Sequence, residues 1–194
     1  MYQYTISLLA LLLIVGCGTT PTPLSEYPEV AVFPADVQED LSIIVDFMDQ
    51  SVCQYQELEN SDVTTCYKAF FQSLAEATTA AEILIPFSNA DRAALFGKLK
   101  PQTVQSIWLE SQSPDSGASV LAVSHSMKYG EFLEKYAAVN PTAGTYYELL
   151  RSTGYVASTS FIDRLTSADD ESVPLSDERM RLLIAVQFLA MSTQ

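Results

Sequence analysis

The 194-residue sequence predicts an all-α fold, an irregular compact bundle of about six or seven helices. Three observations carry that expectation. Apolar residues recur at steps of three and four through most of the chain, the spacing of one face of an α-helix. Several of these stripes open on Ser, Asp or Asn and close near Gly or Pro, as helix ends require. No similarity recurs at a fixed period of 20 to 50 residues, so a solenoid is not supported.

The first helix is expected from the stripe Val37, Leu41, Ile44, Val45, Met48 and Val52, opened by Asp36. The second follows from Val63, Cys66, Tyr67, Phe70, Phe71 and Leu74, and the spacing continues through Ala77 and Ala81 to Leu84. Ser61 or Asp62 opens it, and the short polar segment between the two stripes predicts a helical hairpin. In PFSNADRAALFGKLKP, Ser88 and Asp91 match a capping box, Leu95, Phe96 and Leu99 form the stripe, and Pro101 ends that helix or begins the next. Val104, Ile107 and Trp108 predict a short helix there, with a turn at Asp115 to Gly117.

The run SVLAVSHSM, Ser119 to Met127, reads equally as strand or helix start. Helix is preferred because Tyr129, Phe132, Leu133 and Tyr136 carry the three- and four-residue spacing onward. Asn140 followed by Pro141 has the form of an N-cap and first helical position, and the stripe Tyr146, Leu149, Leu150 stops near Gly154. Phe161, Ile162 and Leu165 mark another short helix, followed by an acidic loop, Asp169 to Glu171. Ser176 is expected to cap the last helix, with Asp177 and Glu178 in its first turn. Its apolar residues lie on every side, so this helix is either central or part of an interface.

The N-terminus has a different character. From Ile6 to Val15 the chain is apolar except for Ser7, a run of about ten residues that suits a signal-peptide core better than the ~20 of a membrane span. Ile14, Val15, Gly16 and Cys17 follow, and this tetrapeptide resembles the lipobox of bacterial lipoproteins. The resemblance implies cleavage after Gly16 (residues 1–16 as signal peptide), diacylglyceryl transfer to the Cys17 thiol and acylation of the new amino group. Two or three acyl chains meet the requirement for stable attachment to a lipid bilayer. The competing reading is an uncleaved anchor from Tyr2 to Gly18, since no Lys or Arg occupies the first residues and no charged residue precedes Glu26. Residues 17–34 carry Pro21, Pro23, Pro28 and Pro34 among Thr and Ser, the composition of an extended tether, leaving 35–194 as one helical domain. Gly18 and Thr19, rather than Asp, follow Cys17, which by resemblance to the enterobacterial sorting pattern favours the outer membrane.

Lipidation of Cys17 leaves Cys53 and Cys66 as an even pair in a compartment that permits disulfides. Their bond would pin the N-terminal hairpin at its turn. The zinc alternative lacks ligands, because the single histidine, His125, cannot complete a set of four; no metal or cofactor is expected.

Acidic residues outnumber basic ones 24 to 10, which argues against nucleic acid as a partner. Ten carboxylates lie in the segment 26–62, with no Lys or Arg before Lys68. The first reading is a solvated face that repels anionic lipid, the second a docking surface for a basic partner or divalent cations. The calcium-loop spacing is missing. No nucleophile elbow, phosphate loop, HExxH or SxxK motif occurs, so no catalytic residue is assigned. His125 lies in SHSMK, but residues adjacent on a helix do not face one another, and it reads as structural. The aromatic group Trp108, Tyr129, Tyr136, Tyr146 and Tyr147 fits a core better than a ligand groove.

The expected function is therefore that of a non-enzymatic, membrane-anchored envelope lipoprotein presenting a helical interaction module, as an accessory subunit of an envelope assembly. The alternative is a small-ligand or cation-binding lipoprotein using an aromatic or acidic pocket, with an enzyme built on an unrecognised carboxylate pair as the third class.

Overall fold

The computed structural model describes residues 22–76, 84–112, 119–167 and 173–191. Two 3-10 turns, Leu24–Glu26 and Val30–Val32, lead into α1 (Ala35–Tyr55) and α2 (Val63–Glu76). Then come α3 (Asn89–Phe96), α4 (Pro101–Ile107), β1 (Trp108–Gln112), β2 (Ser119–Val123), α5 (Lys128–Ala137), α6 (Pro141–Thr153), α7 (Ser158–Ser167) and α8 (Glu178–Met191). Among the described residues the fold is all-α apart from one two-stranded antiparallel sheet.

Most of the expected helices sit where the apolar spacing places them, and their ends explain why. All six residues of the first stripe are buried in α1. Its N-cap is Pro34, whose carbonyl accepts from the Val37 and Gln38 N–H groups, and Asp36 falls inside the first turn instead of opening the helix. Asp62, not Ser61, starts α2: its carboxylate accepts from the Thr64 and Thr65 amides. Ser88 and Asp91 form the reciprocal capping box of α3. Pro101 is the first residue of α4. Asn140 accepts from Ala143 N–H at the start of α6, and Gly154 ends that helix in the left-handed region at φ 78°. At α8 the cap is Asp177, one residue beyond the expected Ser176; its Oδ1 accepts from Arg179 N–H. The continuation of the second stripe through Ala77 and Ala81, the turn at Asp115 to Gly117 and the acidic loop lie outside the described residues.

Two expectations are overturned. Ser119–Val123 is strand, not the start of a helix, and Trp108 opens β1 instead of ending a helix. Trp108 pairs with Val123, Leu109 with Ala122 and Glu110 with Leu121. Strand pairing is a nonlocal property: once Trp108 to Gln112 is extended, the β-branched run opposite has a partner that helical spacing within one segment does not reveal. An isolated two-stranded hairpin is marginal in water. Here β2 packs on α8, and the Trp108 indole donates to Val186 O at 3.3 Å. The helical spacing begins only at α5, where Tyr129, Phe132, Leu133 and Tyr136 are buried. Gly130 permits the return from strand to helix, since a Cβ there would lie 1.8 Å from the backbone oxygen of His125.

The second correction concerns the tether. Composition assigned residues up to Pro34 to it, yet Leu24, Val30 and Phe33 belong to the hydrophobic core, and Phe33 meets the Phe132 ring at 6.1 Å between centroids. The prolines stop regular helix but do not stop these apolar side chains from packing, so the packed body begins by Leu24.

At the centre lies α8, every residue of which from Met180 to Met191 is buried. Helix α1 and strand β2 flank it, and the Phe188 ring meets Phe70 of α2 and Phe161 of α7 at 5.5 and 6.1 Å. Gln187, buried on this helix, is satisfied by the Tyr146 hydroxyl at 2.7 Å and by Val156 O at 3.2 Å. Arg92 donates to Leu189 O at 3.0 Å, supplying a cation and a donor to carbonyls of the last turn.

Candidate docking groove

An open groove of about 1170 Å³ lies on one face of the described residues. The N-terminus of α1, helix α4, strand β1 and the start of α5 enclose it. Its floor is apolar: Val37, Leu99 and Trp108 are buried there, and Phe96 stacks near the Trp108 ring at 5.1 Å. On its rim stand Leu109, 41% exposed, and Met127, 36% exposed, with Asp36, Glu110 and Lys128 interspersed.

One buried polar node fixes the groove's shape. Asp40, on the α1 turn behind the groove, is 2% exposed. Its carboxylate accepts from the Thr103 hydroxyl at 2.6 Å, the Lys100 backbone N–H at 2.7 Å and Lys100 Nζ at 3.1 Å. Burial alone would raise the Asp40 pKa, but these donors outweigh it and hold the pKa below the ordinary carboxylate value. Lys100 Nζ also donates to Asp36 O at 2.9 Å. The node welds α1 to the N-terminus of α4, so the two walls keep their separation.

A second polar cluster lies at the start of α8. Arg179 is sandwiched between the Tyr27 and Tyr136 rings, 4.1 and 4.7 Å from their centroids, and bridges Glu29 at 2.9 Å and Asp177 at 2.8 Å. Two residues further along the chain, Arg181 pairs with Asp49 at 3.1 Å and donates to Leu175 O at 2.8 Å. Asp49 also accepts from the Tyr67 hydroxyl at 3.0 Å. Burial dominates at Asp49 and pushes its pKa up to about 6, against the lowering effect of Arg181 and Tyr67. These pairs revise the reading of the acidic segment 26–62 as one solvated face: Glu29, Asp40 and Asp49 are internal anchors.

The other sequence-derived candidates separate cleanly. Cys53 and Cys66 form the expected disulfide, with Cα atoms 4.9 Å apart, at the turn of the α1–α2 hairpin. Cys17 and residues 1–16, on which the expected signal peptide and lipid attachment fall, lie outside the described residues. His125 is exposed in the loop after β2, where the neighbouring Ser124 and Ser126 hydroxyls bond to each other at 3.2 Å. Of the aromatic group, Tyr129, Tyr136 and Tyr146 are core residues, Tyr147 is half-buried, and Trp108 contributes to the groove floor. Among the described residues no group of three or more His, Cys, Asp or Glu is placed to hold a metal ion, and no helix is long and apolar enough to cross a membrane. Sequence reasoning missed the groove because its lining comes from six elements, α1, α3, α4, β1, β2 and α5. The signals that bear on it in retrospect are Leu109 and Met127, apolar residues outside any helical stripe.

In class this is a disulfide-bearing helical body with one small hairpin and an open, apolar-floored groove. No protein-family model, curated protein or solved structure matches the chain.

Proposed function

We propose that this chain is a non-enzymatic lipoprotein of the bacterial envelope, held at a membrane through acylated Cys17, whose helical body presents the groove to a protein partner in an envelope assembly. The groove is the observation that carries the reading: about 1170 Å³, an apolar floor, and exposed Leu109 and Met127 on its rim. The lipobox resemblance at Ile14 to Cys17 supports the anchor, and Gly18 and Thr19 favour the outer membrane as its address. The acidic rim residues Asp36 and Glu110 suit a partner segment that is apolar along its length and carries Lys or Arg at its ends.

The test uses the full chain in its native envelope with a photo-crosslinking residue at Leu109. A discrete crosslinked partner is expected, and Leu109→Arg, which changes only an exposed side chain, should abolish the partner's co-purification while leaving the melting temperature within a degree or two. Unchanged recovery of the partner with Leu109→Arg, or no crosslinked product, would refute the groove as the docking surface. Intact mass of the same sample checks the anchor separately: an acylated species beginning at Cys17 supports it, an unprocessed Met1 does not.

A further inference from the structure

A smaller cavity of about 140 Å³ lies between α6, α7 and α8. Its walls are Tyr146, Leu149, Phe161, Leu165 and Leu183, with Arg164 and Thr145 also lining it. The inner wall is polar-saturated, because the Tyr146 hydroxyl donates to Gln187 Oε1 at 2.7 Å and Gln187 in turn donates to Val156 O at 3.2 Å. The Tyr146 hydroxyl is thus occupied, and Leu149, Phe161, Leu165 and Leu183 supply apolar lining. Apolar cavities of about this size accept a benzene-sized guest, and here Thr142, Thr145, Ser160 and Arg164 add polar groups beside the apolar wall.

The one charged lining residue gives the guest a polarity. The Arg164 side chain is exposed at one end, and its Nη2 donates to Thr145 Oγ1 at 2.9 Å. A guanidinium presents several donors in a fixed plane, which matches the two oxygens of a carboxylate. We infer that this cavity binds a small apolar monocarboxylate, its ring or short alkyl tail of about six to eight carbons among Tyr146, Phe161 and Leu183 and its carboxylate on Arg164. This site is distinct from the groove and does not rest on the proposed docking role. It assigns the chain a ligand-binding activity in addition to it.

The test titrates the purified full chain with phenylacetate and octanoate, and with the neutral phenylacetamide and octanamide, reading melting temperature and isothermal heats. Both carboxylates should raise the melting temperature in a concentration-dependent way, since a ligand that binds only the native state stabilises it. The amides should bind about tenfold more weakly, and Arg164→Gln should bring the acids down to the affinity of the amides. Leu149→Trp, which fills the cavity from its half-buried wall, should abolish binding of all four. If that variant fails to fold, the comparison of acid with amide in the wild type and in Arg164→Gln decides alone, because Arg164 is exposed. No shift with any probe at millimolar concentration, or equal affinity of acid and amide with no effect of Arg164→Gln, would overturn the assignment.

Discussion

Asp49 shows how one half-buried carboxylate couples the fold to pH. It sits between Tyr67 and Arg181, with Asp46 adding negative potential on the same helix and Glu178 approaching Arg181 to 3.6 Å from α8. Burial raises its pKa from 3.8 to about 6, so the folded chain binds the proton more tightly than the unfolded chain does. The stabilising effect of that proton is fully present below about pH 4 and is lost as pH rises through about 6, a change of about 2 to 3 kcal/mol. Asp40 acts in the opposite sense: its lowered pKa contributes stability that is lost as acid protonates it. The two must therefore be separated by variant. Asn at position 49 cannot ionise, so Asp49→Asn should gain on the wild type between pH 4 and pH 7, measured by urea unfolding at each pH. Parallel stability curves for the two proteins would remove Asp49 as the source. Neither residue's role was legible in sequence. Both appeared only as acids in the segment 26–62, and their partners lie 18 to 132 residues away.

At the scale of the element, the chain leaves α1 through a Schellman turn. The Leu58 N–H donates to Cys53 O at 2.8 Å and the Glu57 N–H to Gln54 O at 3.0 Å, which places Glu57 in the left-handed region at φ 55°. Glycine is the usual residue there, because a side chain costs about 1 kcal/mol in that conformation. Glu57→Gly should therefore stabilise the protein by about 0.5 to 1 kcal/mol, visible as a higher urea midpoint with an unchanged slope. A lower midpoint would show that the Glu57 side chain contributes something the backbone argument omits. The disulfide closes the same hairpin across a separation of 13 residues, for which chain entropy gives roughly 3 kcal/mol. Helix ends governed by local chemistry were the most readable parts of the sequence: Ser88 with Asp91, Asn140 with Pro141, and Gly154 each act within one turn. Ser176 and Asp177 show the limit of that reading, since either can cap. Arg179 and Tyr136, brought together around the Asp177 carboxylate, settle the choice in its favour.

Over the whole molecule, α8 is the element on which the others close. Its burial on all sides means that truncating one large side chain there removes contacts to several helices at once. Phe188 is fully buried and meets both Phe70 and Phe161. Phe188→Ala should cost about 3 to 5 kcal/mol, a large share of the 5 to 15 kcal/mol typical of a whole domain. The measurement is the urea midpoint; a loss below about 1 kcal/mol would mean that the surrounding helices collapse into the space and that α8 is not the rigid centre described. Its centrality was half visible beforehand: apolar residues on every side exclude a one-faced surface helix, but they do not distinguish a core from an interface.

The sequence by itself determined the helices and most of their caps, the expectation of a Cys53–Cys66 bond, and the lipobox resemblance at Ile14 to Cys17. Each of these rests on residues within a few turns of one another, or on residue types whose chemistry needs no partner. Only the tertiary structure decided that Ser119 to Val123 is a strand, that Leu24 to Phe33 is packed body and not tether, and where the groove and the cavity lie. Those outcomes depend on what a segment meets across the fold. A strand needs an opposite strand, an apolar side chain needs a core within reach, and a concavity exists only where several elements stop short of filling the space between them.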